Sequence, residues 1–108
     1  MGELVRCKYL VRGKVQKIGY RKFIRHHAIE LGLKGYAKNL RDGRVEICVE
    51  GDENEIDMLY EFIIKPPRGR VTKIIEQPRE SIKKTSLKDF ERLSEIPAYT
   101  RPIYRTFH

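Results

Sequence analysis

The sequence predicts an α+β fold with the element order β-α-β-β-α-β, and three of its features carry the prediction. The first is an alternation of apolar and polar residues near the N-terminus, which is typical of a half-buried strand. The second is a pair of apolar stripes at helical spacing. The third is a hairpin signal between those two stripes. Antiparallel strands that carry both helices on one face form a ferredoxin-like sandwich.

The first two elements are a strand and a helix. Residues 4–12 alternate in polarity, with Cys7 among the apolar positions, and therefore predict the first strand. Apolar residues then recur every three or four positions from Tyr20 to Leu31, which predicts an amphipathic helix. Gly32 follows directly and is suited to end this helix, because glycine readily adopts the left-handed conformation.

A hairpin follows, with strands over residues 35–40 and 44–50 and a turn at residues 41–43 (Arg-Asp-Gly). The apolar residues of its second strand stand at odd positions, so Cys48 lies on the opposite side of the sheet from Cys7. The two thiols are therefore predicted to be free, as expected in a reducing compartment.

The second helix and a further strand complete the pattern. A helical stripe starts at Ile56, with Asp52 or Asn54 as the N-cap, and residues 66–67 (Pro-Pro) end the helix. Residues 71–76 predict the fourth strand. In a ferredoxin-like sheet the strand order is 4-1-3-2, which would make the strand over residues 35–40 an outer one.

The last thirty residues carry weaker signals. The pattern over residues 86–93 fits a helix that starts at Ser86, with Leu87, Phe90 and Leu93 as its apolar residues. Residues 94–108 contain prolines and large apolar side chains, so they form either a docked segment or a flexible tail. We therefore divide the chain into a domain over residues 1–93 and a C-terminal extension over residues 94–108.

Length, composition and charge limit the classes of function. A chain of 108 residues fits one domain with one core. No apolar run approaches the ~20 residues of a membrane span, and the strand pattern begins without a signal peptide, so we expect a cytoplasmic protein. The net charge is +8, and residues 1–45 carry twelve Lys or Arg against three Asp or Glu. A basic half of this kind favours anionic ligands.

The segment between the first strand and the first helix is the strongest functional signal. It reads Gly13-Lys14-Val15-Gln16-Lys17-Ile18-Gly19-Tyr20-Arg21. A glycine-bounded turn that opens into a helix presents free backbone N–H groups at the positive end of the helix dipole. Such a turn can hold a phosphate or a carboxylate, and an arginine in the first helical turn can bind the same anion through two hydrogen bonds.

This segment, together with a second motif, resembles the acylphosphatase family. The second motif is Gly35-Tyr36-Ala37-Lys38-Asn39-Leu40-Arg41-Asp42-Gly43-Arg44-Val45-Glu46. The family signatures are G-x-V-Q-G-V-x-[FY]-R and G-x-[FYVW]-[AVC]-x-N-x-x-[DN]-G-x-V-[ED], and the resemblance covers about residues 3–76. Residues 88–93 also resemble the closing strand of this family, so a strand is favoured there over the helix. One position departs from the first signature, because Lys17 stands where the family usually has glycine.

The resemblance implies that the chain hydrolyses acyl phosphates to a carboxylate and inorganic phosphate, without a metal, cofactor or phosphoenzyme. It assigns the catalytic roles to Arg21, which binds the phosphoryl group, and to Asn39, which orients the attacking water. Inorganic phosphate or sulfate would then compete with the substrate. The predicted phosphate-binding residues are Val15, Gln16, Lys17, Ile18, Gly19, Tyr20 and Arg21.

Lys17 leaves two outcomes open for the loop. Either the loop keeps its shape and Lys17 adds a cation near the phosphate, or it rearranges and the protein is a weak enzyme or a catalytically silent anion binder. A lysine at positive φ costs about 1–2 kcal/mol, which is the physical reason for the second outcome.

A basic nucleic-acid-binding module is the other class that we consider. The RNA-recognition motif has the same element order, but it stacks bases on exposed aromatic residues of its first and third strands. The predicted open faces of those two strands have no aromatic residue here, and they carry Arg6, Lys8, Arg44, Glu46, Cys48 and Glu50 instead. Specific nucleic-acid binding and membrane binding are therefore not expected, and no oligomeric state is predicted. His26 and His27 are neighbours on a helix and diverge by about 100°, so no metal site is predicted there.

Overall fold

The structure, a computed structural model, describes residues 2–96, and the predicted β-α-β-β-α-β order is confirmed. Two short strands follow the six predicted elements. The predicted extension lies almost entirely outside the described residues. In chain order the elements are β1 (Leu4–Lys14), α1 (Tyr20–Glu30), β2 (Lys34–Asn39), β3 (Val45–Asp52), α2 (Glu53–Ile64), β4 (Arg70–Glu76), β5 (Glu80–Ser81) and β6 (Glu91–Ser94).

The strands form one sheet in the order β4-β1-β3-β2-β6, with β5 paired to β1. The four main strands are antiparallel and follow the predicted 4-1-3-2 order. The favoured strand near residues 88–93 is confirmed as β6, which pairs in parallel with β2. The expectation that β2 is an outer strand was wrong, because β6 covers that edge of the sheet.

Both helices pack on one face of the sheet and enclose the core. The odd positions of β1 point inward, and Tyr9 and Val11 are fully buried there. Asp52 caps α2, since its side chain accepts a hydrogen bond from the backbone N–H of Asn54 at 2.8 Å. Cys7 and Cys48 are buried and not joined, as predicted, and burial raises the pKa of each thiol. No helix within residues 2–96 has the length and apolar character needed to span a membrane.

The chain between β4 and β6 crosses the other face of the sheet and covers Glu50. Glu50 is fully buried and accepts hydrogen bonds from the backbone N–H groups of Ser86 and Leu87 at 2.7 and 2.8 Å. The guanidinium of Arg6 also contacts it, at 2.6 Å. The sequence predicted that Glu50 and Cys48 would be exposed on an open sheet face, and both are buried instead.

Candidate active site

Residues 15–19 connect β1 to α1 in the predicted loop, and the loop contains an unusual backbone conformation. Lys17 has φ of 63°, and it is the one non-glycine residue within residues 2–96 with a positive φ. Gly19 precedes α1 in the same left-handed region, with φ of 79°. Of the two outcomes left open by the sequence, the structure has the one in which Lys17 adopts the conformation that glycine would favour. The first amides of α1 have no partner within the helix and face this loop.

Contacts on both sides fix the loop to the domain. The Nε2 amide of Gln16 donates to the carbonyl oxygens of Leu40 and Arg44, at 2.8 and 3.0 Å. The buried Tyr20 hydroxyl donates to the carbonyl of Ile63 on α2, at 2.8 Å. Val15 inserts into the core, since only 1% of it is exposed. The loop is therefore tied to the β2–β3 hairpin and to α2, and its backbone is preorganised rather than free to collapse.

A small cavity of about 100 Å³ opens at this loop. Its volume corresponds to roughly three water molecules at liquid density, which suits one phosphoryl group. Four of its lining residues are basic, and no lining residue is acidic. The lining comprises Val15, Lys17, Gly19, Tyr20, Arg21, Lys22 and Arg92. A cavity of this size and charge is suited to a compact anion.

Arg21 is held at the cavity by β6. Its Nη1 donates to the backbone carbonyl of Leu93 at 2.6 Å, so β6 fixes the direction of the guanidinium. Burial lowers the pKa of Arg21, and the positive charge of Arg92 lowers it further. Two guanidinium groups that approach one another repel, and an anion bound beside both would relieve that repulsion.

Asn39 lies at the end of β2, beside the same part of β6. It is 7% exposed, and its Oδ1 has no hydrogen-bond partner within residues 2–96. Its register partner on β6 is Ser94, next to the residue that binds Arg21. A buried acceptor without a partner is destabilising by about 1–3 kcal/mol, so its retention needs a reason. A group that donates a hydrogen bond, such as a water or a bound ligand, would satisfy it.

The structure brings most of the predicted site residues together and adds others. Five of the seven predicted phosphate-binding residues line the cavity, whereas Gln16 and Ile18 do not. Of the two predicted catalytic residues, Arg21 lines the cavity and Asn39 does not. Gln16 anchors the loop, and Ile18 packs against the core. The sequence missed Lys22 and Arg92 as lining residues, and it missed the Leu93 carbonyl. The only signal for the last two was the segment read as a closing strand.

His26 and His27 differ from the prediction. Both rings reach the carboxylate of Glu30, at 3.5 and 3.1 Å, and the donor atoms of the three residues lie within 4.8 Å of one another. The expectation that the two histidines diverge too far to share a metal was therefore wrong in its geometry. Glu30 lies one turn further along α1, where side chains at both spacings can meet it. His27 also stacks on the ring of Phe62, with centroids 3.6 Å apart.

Comparisons with known proteins agree with this geometry. The acylphosphatase family model matches residues 7–92. An acylphosphatase from Deinococcus radiodurans is 42% identical over 87 residues, which cover 80% of this chain and 97% of that protein. One from Caldivirga maquilingensis is 43% identical over 84 residues, which cover 76% and 88% of the two chains.

A solved acylphosphatase structure has the same fold. The crystal structure of the acylphosphatase from Bacillus subtilis superposes with a TM-score of 0.74 at 32% sequence identity. The match covers 82% of this chain and 97% of that one. The family model spans most of the described domain, including both motifs. The chain therefore belongs to the acylphosphatase family and is a hydrolase, as the two motifs in its sequence predicted.

Proposed function

We propose that this chain hydrolyses acyl phosphates at the cavity beside the loop of residues 15–19, with Arg21 and the loop amides binding the phosphoryl group. The observation that carries the proposal is the buried Oδ1 of Asn39, which has no partner within residues 2–96, at the end of the strand beside β6. An acceptor in that state can take a hydrogen bond from a water and aim its oxygen at phosphorus.

The reaction is a single displacement at phosphorus. The oxygen of water forms a bond to phosphorus while the bond from phosphorus to the acyl oxygen breaks, and the electron pair of that bond stays on the departing carboxylate. The proton of the water passes to the phosphate or to solvent. Because a carboxylate leaves readily, Asn39 need only orient the water and need not act as a strong base.

The phosphoryl oxygens need balanced charge while the bonds change. The Arg21 guanidinium and the amides at the start of α1 supply it from fixed positions, and such preorganised donors are typically worth about 3–4 kcal/mol each. Among the residues that line the cavity, the one hydroxyl belongs to Tyr20, and it is engaged with Ile63. Water is therefore the nucleophile in this proposal, and no phosphoenzyme forms.

The experiment measures phosphate release from benzoyl phosphate by the wild type, Arg21→Ala and Asn39→Ala. Each variant should lose about 100-fold to 1,000-fold in kcat/KM, because each removes a group that acts on the transition state. Arg12→Ala and Asn54→Ala are the matched controls, since both residues are exposed and neither lines the cavity. Folded wild-type protein with no turnover above the spontaneous rate would reject the proposal.

Two further readouts separate a catalytic role for Asn39 from a structural one. Asn39→Ala removes a buried acceptor that is already unsatisfied, which offsets the loss of side-chain packing, so its free energy of unfolding should stay within about 1 kcal/mol of the wild-type value while activity collapses. In heavy-oxygen water the label should enter phosphate and not the carboxylate. Inorganic phosphate and sulfate should inhibit competitively, and a chelator should leave the rate unchanged.

We also propose a compartment and a class of ligand for the enzyme. Two buried thiols that form no disulfide fit a reducing cytoplasm. The expected ligand is a small acyl phosphate rather than a specific nucleic acid, because the cationic cavity holds one compact anion. The division into a domain over residues 1–93 and an extension stands as a prediction, with Ser94 the last residue of β6.

A further inference from the structure

The cavity holds more positive charge than a phosphoryl group requires. An acyl phosphate carries at most two negative charges on phosphorus, and in the proposed function Arg21 and the loop amides already balance these. Lys22 and Arg92 also line the cavity, and no carboxylate does so. Neither cation has a salt-bridge partner within residues 2–96. These two exposed cations are available to a second anionic group.

A groove between α1 and β6 continues from the cavity and shares these two cations. It has a volume of about 470 Å³ and is lined by Lys22, Arg25, Phe90, Glu91 and Arg92. The Nε of Arg25 donates to the carbonyl of Phe90 at 3.0 Å, so β6 orients Arg25 as it orients Arg21. Three of the five lining residues are basic and one is acidic. The groove is therefore positive where it meets the cavity.

The positive charge fades further along the same groove. The next part is lined by Arg25, Lys34 and Lys88 together with Asp89 and Glu91. Lys34 forms an ion pair with Asp89, so these charges nearly cancel. An anionic group that enters the groove is therefore attracted to the end beside the phosphoryl cavity, where Lys22 and Arg92 line both.

We infer that the groove between α1 and β6 binds a second anionic group on the substrate, so that the preferred substrates are acyl phosphates whose acyl part carries a carboxylate or a phosphate. Lys22 and Arg92 contact that group, and Arg25 sets the far limit of the subsite. This inference rests on the proposed function of the cavity. It assigns to β6 a role in substrate selection in addition to its hold on Arg21.

The experiment compares charged and neutral substrates of the same shape. Carboxybenzoyl phosphate and carbamoylbenzoyl phosphate, each as the meta and para isomer, differ in charge but hardly in size, and their rigid rings cannot cyclise onto the anhydride. The measured quantity is the ratio of kcat/KM for the carboxy substrate to kcat/KM for the carbamoyl substrate. The variant Lys22→Gln/Arg92→Gln should lower this ratio by roughly fivefold to tenfold for at least one isomer, because two exposed ion pairs are lost.

The control variant is Lys83→Gln/Lys84→Gln, which removes the same charge from exposed residues that line neither the cavity nor the groove. Its ratio should equal that of the wild type. Comparing ratios between variants cancels the intrinsic reactivity of the two substrates. An unchanged ratio in Lys22→Gln/Arg92→Gln for both isomers would overturn the subsite. Failure of the wild type to hydrolyse any benzoyl phosphate would instead reject the proposed function.

Discussion

Lys17 shows how a single residue departs from a motif while the loop keeps its shape. Its φ of 63° lies in the region that glycine favours, and a side chain there costs about 1–2 kcal/mol. The neighbours enforce the conformation, because Gln16 is bound to the hairpin and Tyr20 to α2. The side chain of Lys17 is exposed at the cavity, where its charge adds to that of Arg21.

Restoring glycine at this position tests that account. Lys17→Gly should raise the free energy of unfolding by about 0.5–1 kcal/mol, since the relief of strain exceeds the added flexibility of the unfolded chain. It should also weaken inhibition by inorganic phosphate about threefold, because one exposed cation leaves the cavity. Urea denaturation and the inhibition constant measure the two effects. Lys17→Asn is the control, as asparagine tolerates positive φ but carries no charge; a less stable glycine variant would contradict the strain argument.

At the scale of elements, the segment between β4 and β6 is held on the sheet by one buried carboxylate. Burial by itself would raise the pKa of Glu50, but hydrogen bonds from Leu87, Ser86 and Arg6 outweigh it, and the pKa of Glu50 lies below its ordinary value of 4.5. A group with a lowered folded-state pKa stabilises the fold fully above its unfolded value, and this contribution is lost as the pH falls through the folded value. Glu50 therefore makes the fold sensitive to acid.

Removing this charge should weaken the fold at neutral pH and not in acid. Glu50→Gln should lower the free energy of unfolding at neutral pH by about 2 kcal/mol, because amides and a guanidinium lose a charged acceptor. The difference from the wild type should begin to shrink once the pH falls below about 4.5, where the carboxylate of the unfolded chain becomes protonated, and it should disappear below the lower pKa of the folded carboxylate. Urea denaturation at a series of pH values measures this. Glu61→Gln, on the exposed side of α2, should match the wild type throughout; a constant difference at every pH would refute the role of the charge.

The elements that the sequence predicted are those with a periodic pattern. Both helices and the four long strands have repeating apolar faces. The observed bounds of each element lie within two residues of the predicted bounds. The burial of Glu50 could not be predicted, because its cover comes from residues 86 and 87, distant in sequence and without periodicity of their own. A strand of four residues such as β6 offers too few positions to tell alternation from helical spacing.

The residues of the site also differ in whether a local sequence pattern could reveal them. The loop and Arg21 belong to one continuous motif, so a local pattern revealed them. Arg92 and the Leu93 carbonyl reach the cavity from about seventy residues away in sequence, and only the pairing of β6 with β2 brings them there. The role of the Leu93 carbonyl is also invisible to a sequence, since every residue has one.

At the scale of the whole molecule, the charges are segregated. Twelve of the 23 basic residues lie within residues 1–45, whereas residues 46–65 carry seven acidic residues and one basic residue. The basic part contains the loop and α1, so the field at the cavity is positive. The acidic part includes the start of α2, where Glu53 and Glu55 complement the helix dipole. An anionic ligand is therefore attracted toward the cavity.

This attraction should appear as a dependence of the rate on salt. For benzoyl phosphate, kcat/KM should fall severalfold as sodium chloride rises from about 0.01 M to about 0.3 M, because the Debye length shortens from roughly 30 Å to under 10 Å. Chloride is used because sulfate is expected to compete for the cavity. Unfolding curves at the same salt concentrations control for a change in stability. A rate that does not change with salt would show that long-range attraction plays no part.

The hydrogen bond that orients Arg21 limits the effect of substitutions at position 93. Its acceptor is the main-chain oxygen of Leu93, which is present whichever amino acid occupies that position. Substitutions at position 93 can therefore alter the surface of β6 without turning the Arg21 guanidinium away from the cavity. Under the two proposals made above, a substitution at position 92 would change the choice of substrate while the orientation of Arg21 is kept.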